Sequence, residues 1–419
     1  MSSEWTRTTW GEVATLEYGK ALRDYQNIAE GFPVYGTNGP IGFHDTALCK
    51  TPGVVIGRKG AYRGVHYSSR PFFVIDTAFY LKPKAEIDMR WAYYALLTCD
   101  INNMDSGSAI PSTSRDEFYK LSVFVPPLAQ QVLIAEFLAK FDDRITLLRE
   151  TNTTLEAIAQ ALFKSWFVDF DPVHAKMQGR APEGMIEATA ALFPDSFEDS
   201  ELGPLPKGWS ISAVANVSEI VKGKSYSSKD LVDKHTTALV TLKSFQRGGG
   251  FRMDGFKPYS GSFKPMQVVI SGDLIVAYTD VTQAAELIGK PAIVVGIEEH
   301  DTLVASLDVG IVRPDLSVCG RQFLYGLFKT DSFQSHTLAH TSGTTVLHLS
   351  KDGVGSFQFA LPPARLISVF EDIATELAER RQVNSDQVRS LRLLRDTLLP
   401  RLISGQIQIS DVQTEAESA

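Results

Sequence analysis

The sequence predicts an α+β protein: two similar mixed α/β domains, separated by two long antiparallel helices that form a coiled coil with a pseudo-twofold internal repeat. Residues 107–127 recur, without a gap, 236 positions later as residues 343–363. A long stretch of helical pattern follows each copy. Short β-rich runs separated by Gly, Pro and Asn come before each copy, as expected for a mixed sheet domain. Together these observations predict that one architecture occurs twice.

The internal repeat is defined by identical residues at matched positions. A glycine, a serine, an aspartate and a Pro-Pro pair coincide in the two copies: Gly107/Gly343, Ser114/Ser350, Asp116/Asp352 and 126–127/362–363. Further upstream, Trp10 and Trp209 open similar stretches that are offset by only 199. This predicts a second copy that is 37 residues longer in its middle. A shared frame with a different interior suggests one scaffold that presents two different surfaces.

The charge distribution suggests how the chain is divided. The net charge of −8 does not lie in the repeated segments, which carry 13 basic and 13 acidic residues in 1–127 and 15 and 14 in 205–363. The excess of acidic over basic residues lies in segments 169–204 and 405–419. We therefore predict two domains, 1–127 and 205–363, and two spacer helices, 128–168 and 364–404. We also predict an exposed acidic linker, 169–204, and a C-terminal tail, 405–419.

Several protein classes are disfavoured by composition. No apolar run approaches the roughly 20 residues that a membrane span needs. The first residues, MSSEWTRTTW, lack the apolar core of a signal peptide. Three widely spaced cysteines, Cys49, Cys99 and Cys319, are typical of reduced thiols rather than of a disulfide framework. We expect a cytoplasmic protein.

The first helical stretch carries a heptad pattern, which is typical of a coiled coil. Its seam consists of Ile134, Leu138, Phe141, Ile145, Leu148, Asn152, Leu155, Leu162 and Trp166. The second stretch has a less regular seam, formed by Phe370, Leu377, Asn384, Leu391 and Leu398. About 33 residues of such a pair make a rod of roughly 50 Å.

An antiparallel pairing of these helices places Asn152 opposite Asn384 and Trp166 opposite Phe370. Two buried amides that face each other fix the register, because any shift leaves each of them unpaired in an apolar seam. In this register two arginines of the second helix must reach past apolar neighbours: Arg381 and Arg395. The alternative is that each helix packs only on its own domain.

The chain resembles the specificity subunit of type I restriction–modification systems. The resemblance is carried by LFKSWFVDFDPV (162–173), LGPLPKGW (202–209), LRDTLLPRLISGQI (394–407), VVIGRKGAYRG (54–64) and GDLIVAYTDVTQ (272–283). It implies that two target-recognition domains each read one half of a split double-stranded DNA site. It further implies that the helices set an unread gap of roughly six to eight base pairs, and that they dock two methyltransferase subunits in a prokaryotic cytoplasm.

The same resemblance implies that this chain binds no cofactor itself. S-adenosylmethionine would belong to the methyltransferase partners, and ATP and Mg²⁺ to a restriction subunit where one is present. The sequence offers no catalytic motif: it contains neither a P-loop nor an H-E-x-x-H pattern, and Asp171-Pro172-Val173 lacks the second proline and the aromatic of an amino-methyltransferase motif. His336 and His340 are better explained as ordinary helix residues than as metal ligands.

Three segments of the N-terminal domain are candidates for DNA contact. They place basic, aromatic, hydroxyl and amide side chains in turn-rich loops, types that grip phosphate or read bases. The residues are Tyr35, Thr37 and Asn38; Arg58, Lys59, Tyr62 and Arg63; and Ser108 and Arg115. The alternatives are a charged hairpin tip, an Asn-Gly turn and a purely structural backbone motif.

The C-terminal domain offers four further segments. Their residues are Lys222, Lys224 and Tyr226; Lys243, Gln246 and Arg247; Thr279, Asp280, Thr282 and Gln283; and Thr344. Gln and Asp are of types that read adenine and cytosine, but a solvated loop or an Asx turn explains them equally well. At the end of the first helix, Trp166 and Phe167 form either core packing or a docking surface for a partner subunit.

A two-headed adaptor that binds protein or glycan remains the alternative function. DNA binding requires a steep loss of affinity with salt, whereas glycan binding does not.

Overall fold

A computed structural model of the chain describes residues 5–104, 111–253, 255–282, 284–296 and 300–409. The chain divides into two units: unit 1 comprises 1–149 and 386–419, and unit 2 comprises 150–385. No helix in the described ranges is long and apolar enough to cross a membrane.

Unit 1 begins with a short strand and a single helical turn, continues through a strand-rich region and includes the first part of the long helix α4, whose remainder belongs to unit 2. Its elements are β1 (Thr6–Thr9), α1 (Trp10–Val13), β2 (Ala14–Tyr18), β3 (Phe32–Gly36), β4 (Gly39–His44), β5 (Gly53–Gly57), β6 (Val65–Ser68), β7 (Phe73–Val74), β8 (Ala78–Pro83), α2 (Met89–Leu97), α3 (Arg115–Lys120), β9 (Ser122–Val125) and α4 (Leu128–Phe167).

The strands of unit 1 form two sheets and a ribbon. Strands β2, β8, β5 and β6 lie in that order in one antiparallel sheet, and β4, β3 and β7 form a second sheet in which β3 and β7 are parallel. Strand β1 pairs with β9. The core beneath them is built on Trp10, Trp91 and Phe118, and the facing ends of the two long helices add Leu138 and Leu402.

Unit 2 repeats this order of elements after a connecting segment. Its elements are α5 (Asp171–Met177), α6 (Glu187–Ala190), β10 (Phe197–Glu198), β11 (Leu205–Pro206), β12 (Ser210–Ala213), α7 (Val214–Val217), β13 (Ser218–Lys222), β14 (Thr237–Val240), β15 (Lys257–Pro258), β16 (Val268–Val269), β17 (Leu274–Ala277), β18 (Thr279–Asp280), β19 (Pro291–Ile293), β20 (Thr302–Ala305), β21 (Val309–Pro314), α8 (Arg321–Phe328), α9 (Asp331–Ala339), β22 (Thr341–Ser342), β23 (Leu347–Leu349), β24 (Gln358–Leu361) and α10 (Ala364–Ile403).

Both sheets of unit 1 have counterparts in unit 2, where β16 adds a fourth strand to the second sheet and β18, β23 and β22 form a further one. The order β13-β21-β17-β19 matches β2-β8-β5-β6, and β15-β14-β20 matches β4-β3-β7, including the parallel pair. Gly19 and Gly223 follow equivalent strands, and a Cβ on either would lie 2.0 Å from a backbone oxygen. The fold class predicted from the sequence, two similar mixed domains and two long antiparallel helices, is confirmed.

The predicted alignment of the N-terminal ends of the repeat is wrong. Thr6 pairs with Val125 in the β1–β9 ribbon, and Ser210 pairs with Leu361 in the β12–β24 ribbon. The first strands are thus offset by 204 and the last by 236, so the second copy is longer by the difference, 32 residues, and not by 37. Trp5 is therefore the counterpart of Trp209. Trp10 corresponds to Val214, which like Trp10 opens a four-residue helix.

The segment expected to be an exposed linker is partly buried. Val173 and Phe193 have 0% and 2% of their surface exposed and lie in the core of unit 2. They pack there because the segment 169–204 contains apolar residues at helical and turn positions between its acidic ones. Acidic side chains of the segment lie on its outer surface, where Glu187, Asp199 and Glu201 are exposed.

Candidate nucleic-acid interface

Three segments of unit 1 that the sequence identified separately meet at one place. The loop between β5 and β6, residues 58–64, is bound to 111–113: Thr113 N–H donates to Arg58 O (2.9 Å) and Gly60 N–H to Pro111 O (2.9 Å). The hydroxyl of Thr37, in the turn after β3, donates to Lys59 O at 2.9 Å. Backbone groups and the Thr37 hydroxyl therefore hold the three loops together, which leaves several of their side chains outside the contact.

Unit 2 has the same arrangement at the equivalent position. Leu349 N–H donates to Tyr278 O (2.9 Å), the counterpart of the Thr113–Arg58 bond. Strand β18, which begins the loop after β17, pairs with β23 through Thr279–His348. The basic loop 242–250 joins this group, since Gly248 N–H donates to Glu286 O at 3.2 Å. The two units thus present different loops on one common backbone frame.

A cluster of arginines and tyrosines lies at the edge of the unit 1 loops. Tyr18, which ends β2, has 48% of its surface exposed. The guanidinium of Arg58 lies 4.8 Å and that of Arg115 lies 5.2 Å from its ring centroid. Arg115 also donates to the Tyr119 hydroxyl at 3.0 Å and 3.2 Å. Such stacking orients both guanidinium planes while part of each stays accessible.

The sequence predicted Arg58 and Arg115 but missed Tyr18. The available signal was that Tyr18 ends an alternating strand directly before Gly19, a glycine that lies close to the backbone of Ile75.

Arg63 is not available for DNA. Only 2% of its surface is exposed, and its guanidinium donates to the carbonyl oxygens of Gly60 (3.2 Å), Ile101 (3.4 Å) and Asn102. The prediction that Arg63 contacts DNA is therefore wrong, because its donors are used to fix the shape of the loop. Its neighbour Tyr62 is 79% exposed at the tip.

Asp280 has the corresponding internal role in unit 2. It is fully buried and accepts from the N–H groups of Thr282 (2.6 Å), Leu287 (2.6 Å) and Ile288 (3.0 Å). Burial alone would raise the pKa of this carboxyl, but these hydrogen bonds hold the pKa below its ordinary value. Asp280 thus shapes the loop and does not read a base. Thr279, with 6% exposed, is likewise inside.

The remaining predicted residues differ in exposure. Tyr35 is a core residue, with its ring against Phe72, so its predicted DNA contact is also wrong. The exposed ones are Asn38, Lys59, Tyr62, Lys222, Lys243, Gln246, Arg247 and Thr344. Those half-buried are Thr37, Arg58, Arg115, Lys224, Tyr226 and Thr282. Ser108 and Gln283 lie outside the described residues.

The basic residues of unit 2 form two groups. Arg247 pairs with Glu286 (3.2 Å), which ties the loop that carries Lys243 and Gln246 to the loop after β17. The other group surrounds Tyr226, whose ring centroid lies 5.8 Å from the ammonium of Lys257. The carbonyl oxygen of Lys222 accepts a hydrogen bond from Gln267 at 3.5 Å. Both groups combine cations with exposed polar side chains.

The amide pair predicted for the helix seam is present. Asn384 Nδ2 donates to Asn152 Oδ1 at 2.8 Å, and Asn152 Nδ2 donates to Ser385 Oγ at 3.1 Å and to Arg381 O at 3.2 Å. Trp166 and Phe370 face each other, with ring centroids 6.2 Å apart. The antiparallel register derived from the sequence is confirmed within unit 2.

The two seam arginines do not reach out past apolar neighbours as expected. Arg395 pairs with Asp142 in unit 1 (2.5 Å), and Arg381 pairs with Glu156 in unit 2. Glu156 also accepts from Lys329 (3.0 Å). Burial would raise the pKa of Glu156, but Arg381 and Lys329 lower it below the ordinary value. Each arginine is therefore neutralised where it crosses the seam.

Trp166 and Phe167 form core packing and not a docking surface. They are 5% and 7% exposed, and both rings contact Phe370 within the core of unit 2. At the end of α4, the ring of Trp166 packs against Phe193 and the ring of Phe167 packs against Phe323. Among the described residues, no group of three or more His, Cys, Asp or Glu side chains is arranged to hold a metal ion.

Comparison with known proteins identifies similar chains. A family model described as the type I restriction modification DNA specificity domain matches residues 2–157. The HindI specificity subunit of Haemophilus influenzae is 26% identical over 395 residues, which cover 80% of this chain and 81% of that protein. The MjaIX specificity subunit of Methanocaldococcus jannaschii is 21% identical, covering 79% of this chain and 72% of that protein. The crystal structure of the type I restriction-modification S subunit from M. genitalium superimposes with a TM-score of 0.59 at 15% identity, over 95% of this chain and 96% of that one, and so has the same fold.

Proposed function

Because the chain belongs to the family of type I restriction–modification specificity subunits, we propose that it recognises a bipartite double-stranded DNA site, one half-site per unit. It is a DNA-recognition subunit and not an enzyme. The observation that carries the proposal is the shared loop frame: an equivalent backbone hydrogen bond, Thr113 to Arg58 and Leu349 to Tyr278, holds two different sets of loops. One frame with two sets of side chains suits a protein that reads two unlike half-sites.

The exposed side chains on that frame would supply the recognition. In unit 1, Arg58 and Arg115 are oriented by Tyr18, and a guanidinium held in a plane can bind a guanine or a phosphate bidentately. In unit 2, Gln246 and Thr282 are accessible groups able to pair with base edges. The internal braces Arg63 and Asp280 keep both loops in shape before DNA binds, which reduces the entropy lost on association.

The helix pair would set the number of unread base pairs between the half-sites. Its register is fixed by Asn152–Asn384 and by the ion pair of Glu156 with Arg381. A hydrogen bond between a half-buried amide and a buried one selects one alignment among the possible ones. A single alignment corresponds to a single gap length, which a ruler for a split site requires.

The chain would act with partners that perform the chemistry. We propose two methyltransferase subunits, with S-adenosylmethionine bound by them, and restriction subunits that use ATP and Mg²⁺ where they are present. This division agrees with the site: the accessible side chains at the loop frames are cations, amides and hydroxyls, which suit binding. Flipping of the target base and methyl transfer would take place on the partners.

Selection from random duplex DNA tests the proposal. The chain is purified with its co-expressed partner subunits, and tight binders are enriched over several rounds and sequenced. We expect two short defined blocks around an undefined gap of constant length. A continuous motif would exclude the ruler, and no enrichment at low salt would favour an adaptor that binds protein or glycan.

A further inference from the structure

An open cleft lies in unit 1, away from the loop frame described above. It lies between α2, strand β6 and the segments of α4 and α10 that belong to unit 1, and it has a volume of about 400 Å³. Its walls combine aromatic and charged side chains, among them Tyr67, Arg90, Tyr93, Asp142 and Arg392. We call it the Arg90 cleft.

The Arg90 cleft carries more cations than anions. Its charged residues are four arginines and three aspartates: Arg90, Arg149, Arg392 and Arg395, and Asp142, Asp143 and Asp396. Asp142 accepts from the Tyr94 hydroxyl (2.6 Å) and from Arg395 (2.5 Å), so it is already engaged. Arg90 stacks 5.2 Å from the ring centroid of Tyr67. Within the part of the chain that the structure describes, neither Arg90 nor the exposed Arg392 forms an ion pair. The cleft is therefore suited to an anion.

The equivalent place in unit 2 already holds an anion. Helices α2 and α8 correspond, because each is followed by a threonine whose hydroxyl donates to a carbonyl oxygen three residues earlier, Thr98 and Thr330 (2.7 Å in both). This correspondence places Tyr325 at the position of Tyr93. The repeat places Glu156 at the position of Arg392.

The carboxylate of Glu156 fills the unit 2 site. It accepts from the Tyr325 hydroxyl (2.9 Å) and from Lys329 (3.0 Å). Only about 20 Å³ of space is left beside it. In unit 1 an arginine stands where unit 2 has this carboxylate, so no carboxylate fills the equivalent position and the space stays open.

We propose that the Arg90 cleft binds a phosphate of the DNA backbone, with Arg90 and Arg392 as its cationic ligands. The proposal rests on the DNA-binding function proposed above. Arginine and tyrosine side chains are common phosphate ligands, and a phosphate takes the place of the carboxylate found in unit 2.

The position of the cleft favours DNA as the source of the anion. Strand β6 leads from the loop 58–64 directly to Tyr67. Three residues of strand, from Gly64 to Tyr67, span about 10 Å, which equals about three base pairs along the duplex axis. A duplex held by the unit 1 loops and running along β6 would bring backbone phosphates within reach of Arg90.

The salt dependence of DNA binding tests this inference. The complex with its partner subunits is prepared as wild type, Arg90→Gln, Arg392→Gln and Arg90→Lys, and its affinity for the selected duplex is measured between 50 and 200 mM salt. Loss of one phosphate contact makes the slope of log affinity against log salt shallower by about 0.9. The ratio of wild-type affinity to the affinity of each Gln variant should therefore fall about 3.5-fold between 50 and 200 mM salt. Arg90→Lys should keep most of the slope, since it keeps the charge.

Arg144→Gln is the matched control, because Arg144 is an exposed arginine of α4 outside the cleft. Its slope should equal that of wild type, and the preference for the selected duplex over one with a changed half-site should stay constant in every variant. An unchanged slope in both Gln variants overturns the inference. Loss of bound partner subunits with normal DNA affinity also overturns it, because that outcome would identify a protein as the ligand of the cleft. If wild type itself selects no split motif, the proposed function fails instead.

Discussion

The amide pair in the helix seam can be tested by a double-mutant cycle. Replacing Asn152 by Leu removes the acceptor of Asn384, a side chain only 1% exposed, and deletes the bonds to Ser385 and Arg381. A buried amide left without its partner costs about 1–3 kcal/mol. We expect Asn152→Leu to lower the free energy of unfolding by about 2 kcal/mol, which corresponds to about 4–8 °C in Tm for a domain of this size.

The double variant Asn152→Leu/Asn384→Leu should recover most of that loss. Replacing both partners by apolar groups is nearly neutral, and Ser385 stays satisfied because its own hydroxyl donates to Arg381 O at 2.8 Å. The assay is urea denaturation of the full chain followed by circular dichroism, with the exposed Thr154→Leu as a control for helix propensity. A single variant within about 0.5 kcal/mol of wild type, a change typical of surface positions, refutes the reasoning, as does a double variant as unstable as the sum of the singles.

Three further predictions follow from the same region and from the loops. Four residues inserted within 151–154 add about 6 Å of helix. The insertion should lengthen the unread gap by about one or two base pairs and leave both half-sites unchanged. Altered half-sites in a repeated selection would contradict the proposal that the helix pair sets the gap. Glu156→Gln should destabilise the chain by about 3 kcal/mol at pH 7, since Arg381 and Lys329 lose a buried partner. Because the pKa of Glu156 is lowered in the fold, the wild type loses this advantage as the pH falls below about 4, so denaturation curves of the two proteins should converge there. Arg115→Gln should weaken DNA binding several-fold without loss of stability, whereas Arg63→Gln should lower Tm, and equal thermal shifts for both would contradict their assignment.

The helix pair was predictable because its signals are local and periodic. Heptad spacing places Ile134 and Leu138 on one face, and a polar residue in such a seam needs a partner, so the position of Asn152 predicts its pairing with Asn384. The repeat was equally visible in its C-terminal part, where the offset is constant. It was misaligned upstream because Trp10 resembles Trp209 in sequence, whereas strand pairing shows that Trp5 is the true counterpart.

The candidate site was predictable in its segments but not in its side chains. Turn-rich basic loops indicated where the loops lie, but composition cannot distinguish a cation that faces solvent from one that binds the backbone of its own loop. Arg63 and Asp280 were misread for that reason, since both are satisfied by residues distant in sequence or by turn N–H groups. Trp166 was ambiguous because an aromatic side chain at a helix end suits an interface and a core equally well.

Holding the loops through backbone groups has an evolutionary consequence. The bonds from Thr113 to Arg58 and from Leu349 to Tyr278 involve main-chain atoms alone, so they persist whatever side chains those positions carry. Mutations at exposed positions such as Lys59, Tyr62 and Gln246 can therefore accumulate with little effect on stability. Each half of the molecule can drift toward a new target while the other keeps the old one, and exchange of one half between related chains yields a new combination in a single step.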